Sequence, residues 1–173
     1  MTWNIDKTHS EVGFSVRHMM ISNVRGKFGR FDAEVELDPQ NLEAAKVRAT
    51  VETASIDTGV EARDNHLRSA DFFDSENHPN MIFTSTKVKQ SGSELAVTGK
   101  LAIRGIEHEV TLKGEVEGPA KDPWGNQRVG FTLSGEIERE QWGLNWNQAL
   151  EAGGVMVAKK VKIAIETQLI QKA

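Results

Sequence analysis

The chain has 173 residues, a net charge of −4 and no cysteine. That length suits one domain with a real core, and the missing cysteines exclude disulfides, thiolate nucleophiles and Cys-ligated metals. Lysines and arginines are interspersed with Asp and Glu rather than run together, so no nucleic-acid partner is expected.

No apolar stretch approaches the ~18 residues that a membrane-spanning helix needs. Met1 is followed directly by Thr2-Trp3-Asn4-Ile5-Asp6, without a basic and then apolar leader. The chain as given therefore reads as cytoplasmic.

Period-2 alternation dominates from Glu11 onward. Strand one is expected over residues 11–21, with Val12, Phe14, Val16, His18 and Met20 on one face. Strand two, residues 24–37, changes phase between Phe28 and Phe31 beside Gly26 and Gly29. An extra residue at a glycine reads as a bulge that bends the sheet. Strand three, residues 45–56, slips similarly from Val47, Ala49 and Val51 to Ala54 and Ile56. The alternation then breaks. Between residues 58 and 72, apolar and polar positions recur at i, i+3, i+4 spacing, and Thr58 with Glu61 forms a candidate capping box.

Strand four is expected over residues 81–89, with a tight turn at Ser91-Gly92 into strand five, residues 94–104. Strand five places Leu95, Val97, Gly99, Leu101 and Ile103 on one face over 11 residues, roughly 37 Å at about 3.4 Å per residue. Strand six covers residues 106–117, with Ile106, His108, Val110 and Leu112 in phase. Residues 118–127 read as a loop. Strand seven, residues 128–140, carries Val129, Phe131 and Leu133 inward. A Trp- and Gly-rich lid-like segment spans residues 142–154, and strand eight runs over 155–170. Long strands, each with one dry face, close most naturally into a barrel. The fold class is all-β: an eight-stranded antiparallel barrel, with a β-sandwich as the runner-up, and a short helical insert near residues 58–72.

Chemical motifs are sparse. The five histidines form no His-x-His or His-x-x-x-His pair, so no metal or cofactor is expected. No nucleophile elbow, dinucleotide fingerprint or phosphate loop is present. His18 shares the inward face of strand one. It is either a satisfied core histidine or a polar fixture in an apolar cavity. Arg25 and Arg104 near strand ends are either solvated rim charges or cations for an anionic head group. The helical insert, with Arg63, His66, Leu67 and Phe72, reads as a plug, a gate for an apolar chain, or both.

Taken together the motifs resemble the YceI-like polyisoprenoid-binding proteins. The matching residues begin with Trp3-x-Ile5-Asp6-x-x-His9-Ser10, Val12-x-Phe14-x-Val16-Arg17-His18 and Val24-x-Gly26-x-Phe28. They continue through Ser55-Ile56-Asp57-Thr58-Gly59, Arg63-Asp64-x-His66-Leu67, Ser69-Ala70-Asp71-Phe72-Phe73-Asp74 and His78-Pro79-x-Met81-Ile82-Phe83. They end at Gly99-x-Leu101-x-Ile103-Arg104-Gly105 and Arg139-x-x-Trp142-Gly143-Leu144. The resemblance implies an extended, lipocalin-like eight-stranded antiparallel barrel, non-catalytic, that binds, carries or stores an amphiphilic isoprenoid, a polyprenyl phosphate or diphosphate or an isoprenoid quinone. It also implies a periplasmic location if a signal was removed. It implies a homodimer, and transient membrane contact fits such a cargo.

The expected apolar lining is Phe14, Val16, Phe28, Leu67, Phe72, Phe83, Leu101, Ile103, Val110, Leu112, Phe131 and Trp142. The expected polar contacts to the head are His18, Arg25, Arg63, His66 and Arg104. Two other readings stay open. One is a small-barrel isomerase or cyclase using His18 or His108, and the other is a filled-core structural barrel.

Overall fold

A computed structural model of the protein describes residues 2–19, 21–147 and 156–172. The strands are β1 (Thr2–Ile5), β2 (Glu11–His18), β3 (Ser22–Phe28), β4 (Phe31–Glu36), β5 (Lys46–Glu52) and β6 (Ile56–Asp57). After the helix α1 (Glu61–Arg68) come β7 (Asn80–Ser91), β8 (Glu94–Ile103), β9 (Ile106–Lys121), β10 (Gln127–Glu138) and β11 (Val157–Gln171).

Three pairs of these strands are single runs with a break. A 3-10 turn at Lys7–His9 separates β1 from β2, Gly29-Arg30 separates β3 from β4, and a 3-10 turn at Thr53–Ser55 separates β5 from β6. Counted as runs, the described residues give the eight antiparallel staves that the alternation predicts. The sheet closes because β11 pairs with β10 on one edge and with both β1 and β2 on the other. β2 then pairs with β3, and β1 with β4, which returns the sheet to β5 and β7. Closure removes the exposed edges that would invite aggregation.

Antiparallel connection sorts the loops to two ends. The helix end carries the β2–β3 hairpin, α1, the Arg104-Gly105 turn and the segment after β10. The opposite end carries the 37–45 loop, the Gly92-Ser93 turn and the 122–126 loop. A buried tryptophan anchors each end. Trp3 is 2% exposed and its indole N–H donates to the Leu37 carbonyl at 3.0 Å. Trp142 is 1% exposed and donates to the Leu101 carbonyl at 2.9 Å. The aromatic area is buried without an orphaned N–H.

Several expectations need correction. β1 is an additional strand, because four residues carry too little alternation to reveal it. β9 runs on to Lys121 through the expected loop, since Gly118 at φ +96° and Pro119 sit in a bulge opposite Val129. Proline lacks a ladder donor and is tolerated there. Thr58 does not cap the helix. Val60 holds that position, while the Thr58 N–H and hydroxyl both donate to Asp64, at 2.9 and 2.6 Å. Ala54 is exposed, because the slip in stave three is a 3-10 turn and not a bulge. Ile106 and His108 are exposed too: inward phase on β9 begins only at Val110. Met20, Val155 and most of the lid-like segment (148–154) lie outside the described residues.

Candidate functional site

The staves enclose a cavity of about 300 Å³ that runs from Leu42 at the Trp3 end to Leu67 and Phe72 beneath α1. Its volume falls at the lower end of the range for small-molecule sites. The interior is therefore not packed solid, and its surface is almost wholly hydrocarbon. Two glycines make room for the aromatic wall. A side chain at Gly26 would collide with the Phe14 ring, and one at Gly99 with the Phe83 ring, so each phenylalanine lies close against backbone.

The expected lining is largely brought together. Phe14, Val16, Phe28, Leu67, Phe72 and Phe83 face the cavity, as do Leu101, Ile103, Val110, Leu112 and Phe131. Trp142 does not line it. Its ring is turned into the wall by the bond to Leu101 and packs edge-on against His108, 5.2 Å away.

None of the expected head-group residues lines the cavity. Arg63 turns back onto its own loop, donating from Nε to the Thr58 hydroxyl and from Nη2 to the Thr58 carbonyl. His66 pairs with Asp71 at 2.8 Å and meets Phe72 and Trp146 edge-on. Arg104, at φ +53°, donates to the Gly143 carbonyl. Arg25 projects from the outer face of β3, and His18 closes β2 opposite Val157. Neither His18 nor His108 reaches the interior.

Four ionisable residues do contribute to the described wall: Glu11, Asp32, Glu166 and Arg139. Arg139 is 3% exposed. Its guanidinium donates to the carbonyls of Ala158, Leu144, Trp146 and Val157 at 2.6–3.2 Å. Its carbon lies 6.0 Å from the centre of the Phe72 ring. Burial holds its pKa below the usual arginine value, and nearby Glu140 works in the opposite sense. Gly143, left-handed at φ +78°, turns the chain so that the Leu144 carbonyl reaches this cation. Sequence reading missed Arg139 as a site residue. Its only signal was membership of the Arg139-x-x-Trp142-Gly143-Leu144 motif.

A second polar cluster holds the break in the first stave. The Asp6 carboxylate accepts from Arg128 at 2.8 Å, the Thr8 hydroxyl at 2.7 Å, the Thr8 N–H at 3.1 Å and His9 Nδ1 at 2.8 Å. Arg128 also donates to Asp122 at 2.9 Å and to Gln168 at 3.2 Å. Arg128 first, then Thr8 and His9, hold the Asp6 carboxyl far below the usual carboxylate range. For Asp122 burial acts upward, but the bonds from Arg128, Asn126 and Trp124 outweigh it and the net direction is down.

The YceI-like domain family matches residues 3–169. The chain belongs to the YceI-like family. A UPF0312 protein of Staphylococcus epidermidis is 44% identical over 161 residues, 92% of each chain. A Campylobacter jejuni YceI protein superimposes with a TM-score of 0.80 at 33% identity, over 97% of this chain and 96% of that one. Burkholderia cenocepacia BcnA gives 0.81 at 25% identity, over 95% and 98%. A polyisoprenoid binding domain from Saccharophagus degradans, implicated in plant cell wall breakdown, shares the fold at a TM-score of 0.73 and 13% identity, over 96% and 97%.

Proposed function

We propose that this YceI-like barrel binds an amphiphilic isoprenoid, a polyprenyl phosphate or diphosphate or an isoprenoid quinone. The tail lies along the cavity and the protein acts as a non-catalytic carrier or store. The observation that carries this reading is the cavity wall: hydrocarbon along its length, with ionisable groups at only two places among the described residues. The occurrence of the same fold in a polyisoprenoid binding domain is consistent with it.

The energetics suit carriage. Burying a ~40-carbon chain at about 0.8 kcal/mol per CH₂ sets a ceiling of roughly 30 kcal/mol. Non-covalent affinity saturates near about 18–21 kcal/mol. The difference goes to ordering the chain and drawing it from a membrane or aggregate, so uptake and release are both accessible. Apolar walls discriminate weakly between similar chains, and tail selectivity is accordingly loose. Met19, Ile21 and Val60 are exposed at the helix end and offer apolar surface for transient membrane contact. A homodimer is part of the same proposal.

Native mass spectrometry of freshly expressed protein, with organic extraction of the same sample, tests the reading. The expected result is a bound species whose extracted mass is that of an isoprenoid. Protein that is wholly unliganded and takes up no added polyprenol would contradict it.

A further inference from the structure

We infer that the cavity opens sideways, through a slot between the first two staves, and that cargo enters and leaves there. This rests on the carrier reading above. The ladder between these staves holds at Trp3–Val35 and resumes at Val12–Phe28. No pairing links residues 4–11 of the first stave to residues 29–34 of the second.

Over that interval the first stave leans the other way. The Asp6 N–H donates to the Gln168 carbonyl, and the Ser10 hydroxyl meets Thr167 at 2.9 Å. Both contacts hold it against β11. Across the gap, the Ala33 N–H has turned to the Asp32 carboxylate at 2.9 Å, which satisfies a donor that an intact ladder would have used.

The cavity reaches the surface at this gap. Of its described lining residues, only Glu11, Asp32 and Glu166 are exposed: Glu11 and Asp32 sit at the two lips of the slot, and Glu166 lies beside Glu11 on the far side of the first stave. Glu11 and Glu166 are cross-strand neighbours on β2 and β11, and Asp32 lies on β4. The lining beneath α1, including Phe72, Leu144 and Arg139, is buried. A single ion pair spans the slot: Lys7 Nζ lies 3.8 Å from Asp32 Oδ2, with both side chains largely exposed. Such a pair is weak and salt-screened, which suits a strut that yields to a passing chain. The Asp6–Arg128 cluster behind it holds the lip at Lys7–His9 in place.

The absence of cysteine makes the test direct. Asp32→Cys and Glu11→Cys place a thiol on either lip, and Ile21→Cys places one at the helix end. Each is alkylated with a bulky maleimide, and uptake of retinol, a fluorescent isoprenoid alcohol, is followed by stopped flow. A label on either lip is expected to slow uptake and release tenfold or more with little change in Kd, while a label at Ile21 leaves both within twofold. Unlabelled Lys7→Ala/Asp32→Ala should exchange several-fold faster than wild type, and this variant keeps the test intact if a lip label disturbs folding.

Slowing by the Ile21 label, or unchanged rates with both lip labels, would overturn the slot and leave the carrier reading standing. A protein that takes up no retinol or polyprenol, labelled or not, would remove both.

Discussion

Asp6 concentrates four hydrogen bonds on one carboxylate, and the consequence is a pH dependence with a definite sign. Its folded pKa lies below that of the unfolded chain, near 3.9. The stability it contributes is therefore complete above about pH 4 and is lost as pH falls towards the depressed folded value. Asp6→Asn should lower the urea midpoint at pH 7, and the gap to wild type should shrink steadily below pH 4. Urea melts at intervals from pH 7 to pH 2 check this. A constant gap would show that the carboxylate's charge is not what matters.

Arg139 shows how little of a buried cation can be read locally. In the sequence it stands between Glu138 and Glu140 at a strand end, with nothing beside it to mark it as buried. Its burial depends on the carbonyls of Leu144 and Trp146 and, from β11, of Val157 and Ala158. Local pattern cannot carry that. Nor does local pattern show that Arg63, His66 and Arg104 lie off the cavity, where each is held by a loop group.

At the scale of elements, α1 depends more on one side chain than on its own propensity. It has eight residues, too short to persist alone in water. Asp64, 6% exposed, ties it to the loop through the Thr58 N–H and hydroxyl. Asp64→Ala should cost about 1 kcal/mol by leaving the part-buried Thr58 donors without their partner. It should also raise hydrogen exchange of the 61–68 amides above that of β7–β9. Unchanged protection of the helix would contradict this anchoring.

The long strands were legible because each has one dry face, and that imposes period 2 over many residues. The breaks were legible only in part. The slip between Phe28 and Phe31 is visible as a phase change, and the break does fall at Gly29-Arg30. The 3-10 turn at Lys7–His9 is not visible in that way. It is organised by Asp6, whose decisive partner Arg128 lies 122 positions away.

For the molecule as a whole, the cavity follows from geometry as much as from composition. Eight staves make a barrel just wide enough to be filled by side chains or to hold one slender ligand. Here the inward set mixes large rings with Gly26, Gly99, Ala33, Ala45 and Ala49, and space remains. Alternation pointed to nine of the residues around that space and the helical insert to Leu67 and Phe72, but sequence does not give its volume, which depends on how the rings settle against the opposing backbone.

Ala49 lines the cavity and is itself only half-buried, so Ala49→Trp places an indole along the tunnel. Fluorescence titration with retinol, read beside the melting temperature, then decides whether this space holds a ligand. Wild type is expected to bind one retinol per chain, and Ala49→Trp should bind at least tenfold more weakly while melting within a few degrees of wild type. Equal affinity for retinol in the two proteins would mean that the cavity is not where the ligand lies.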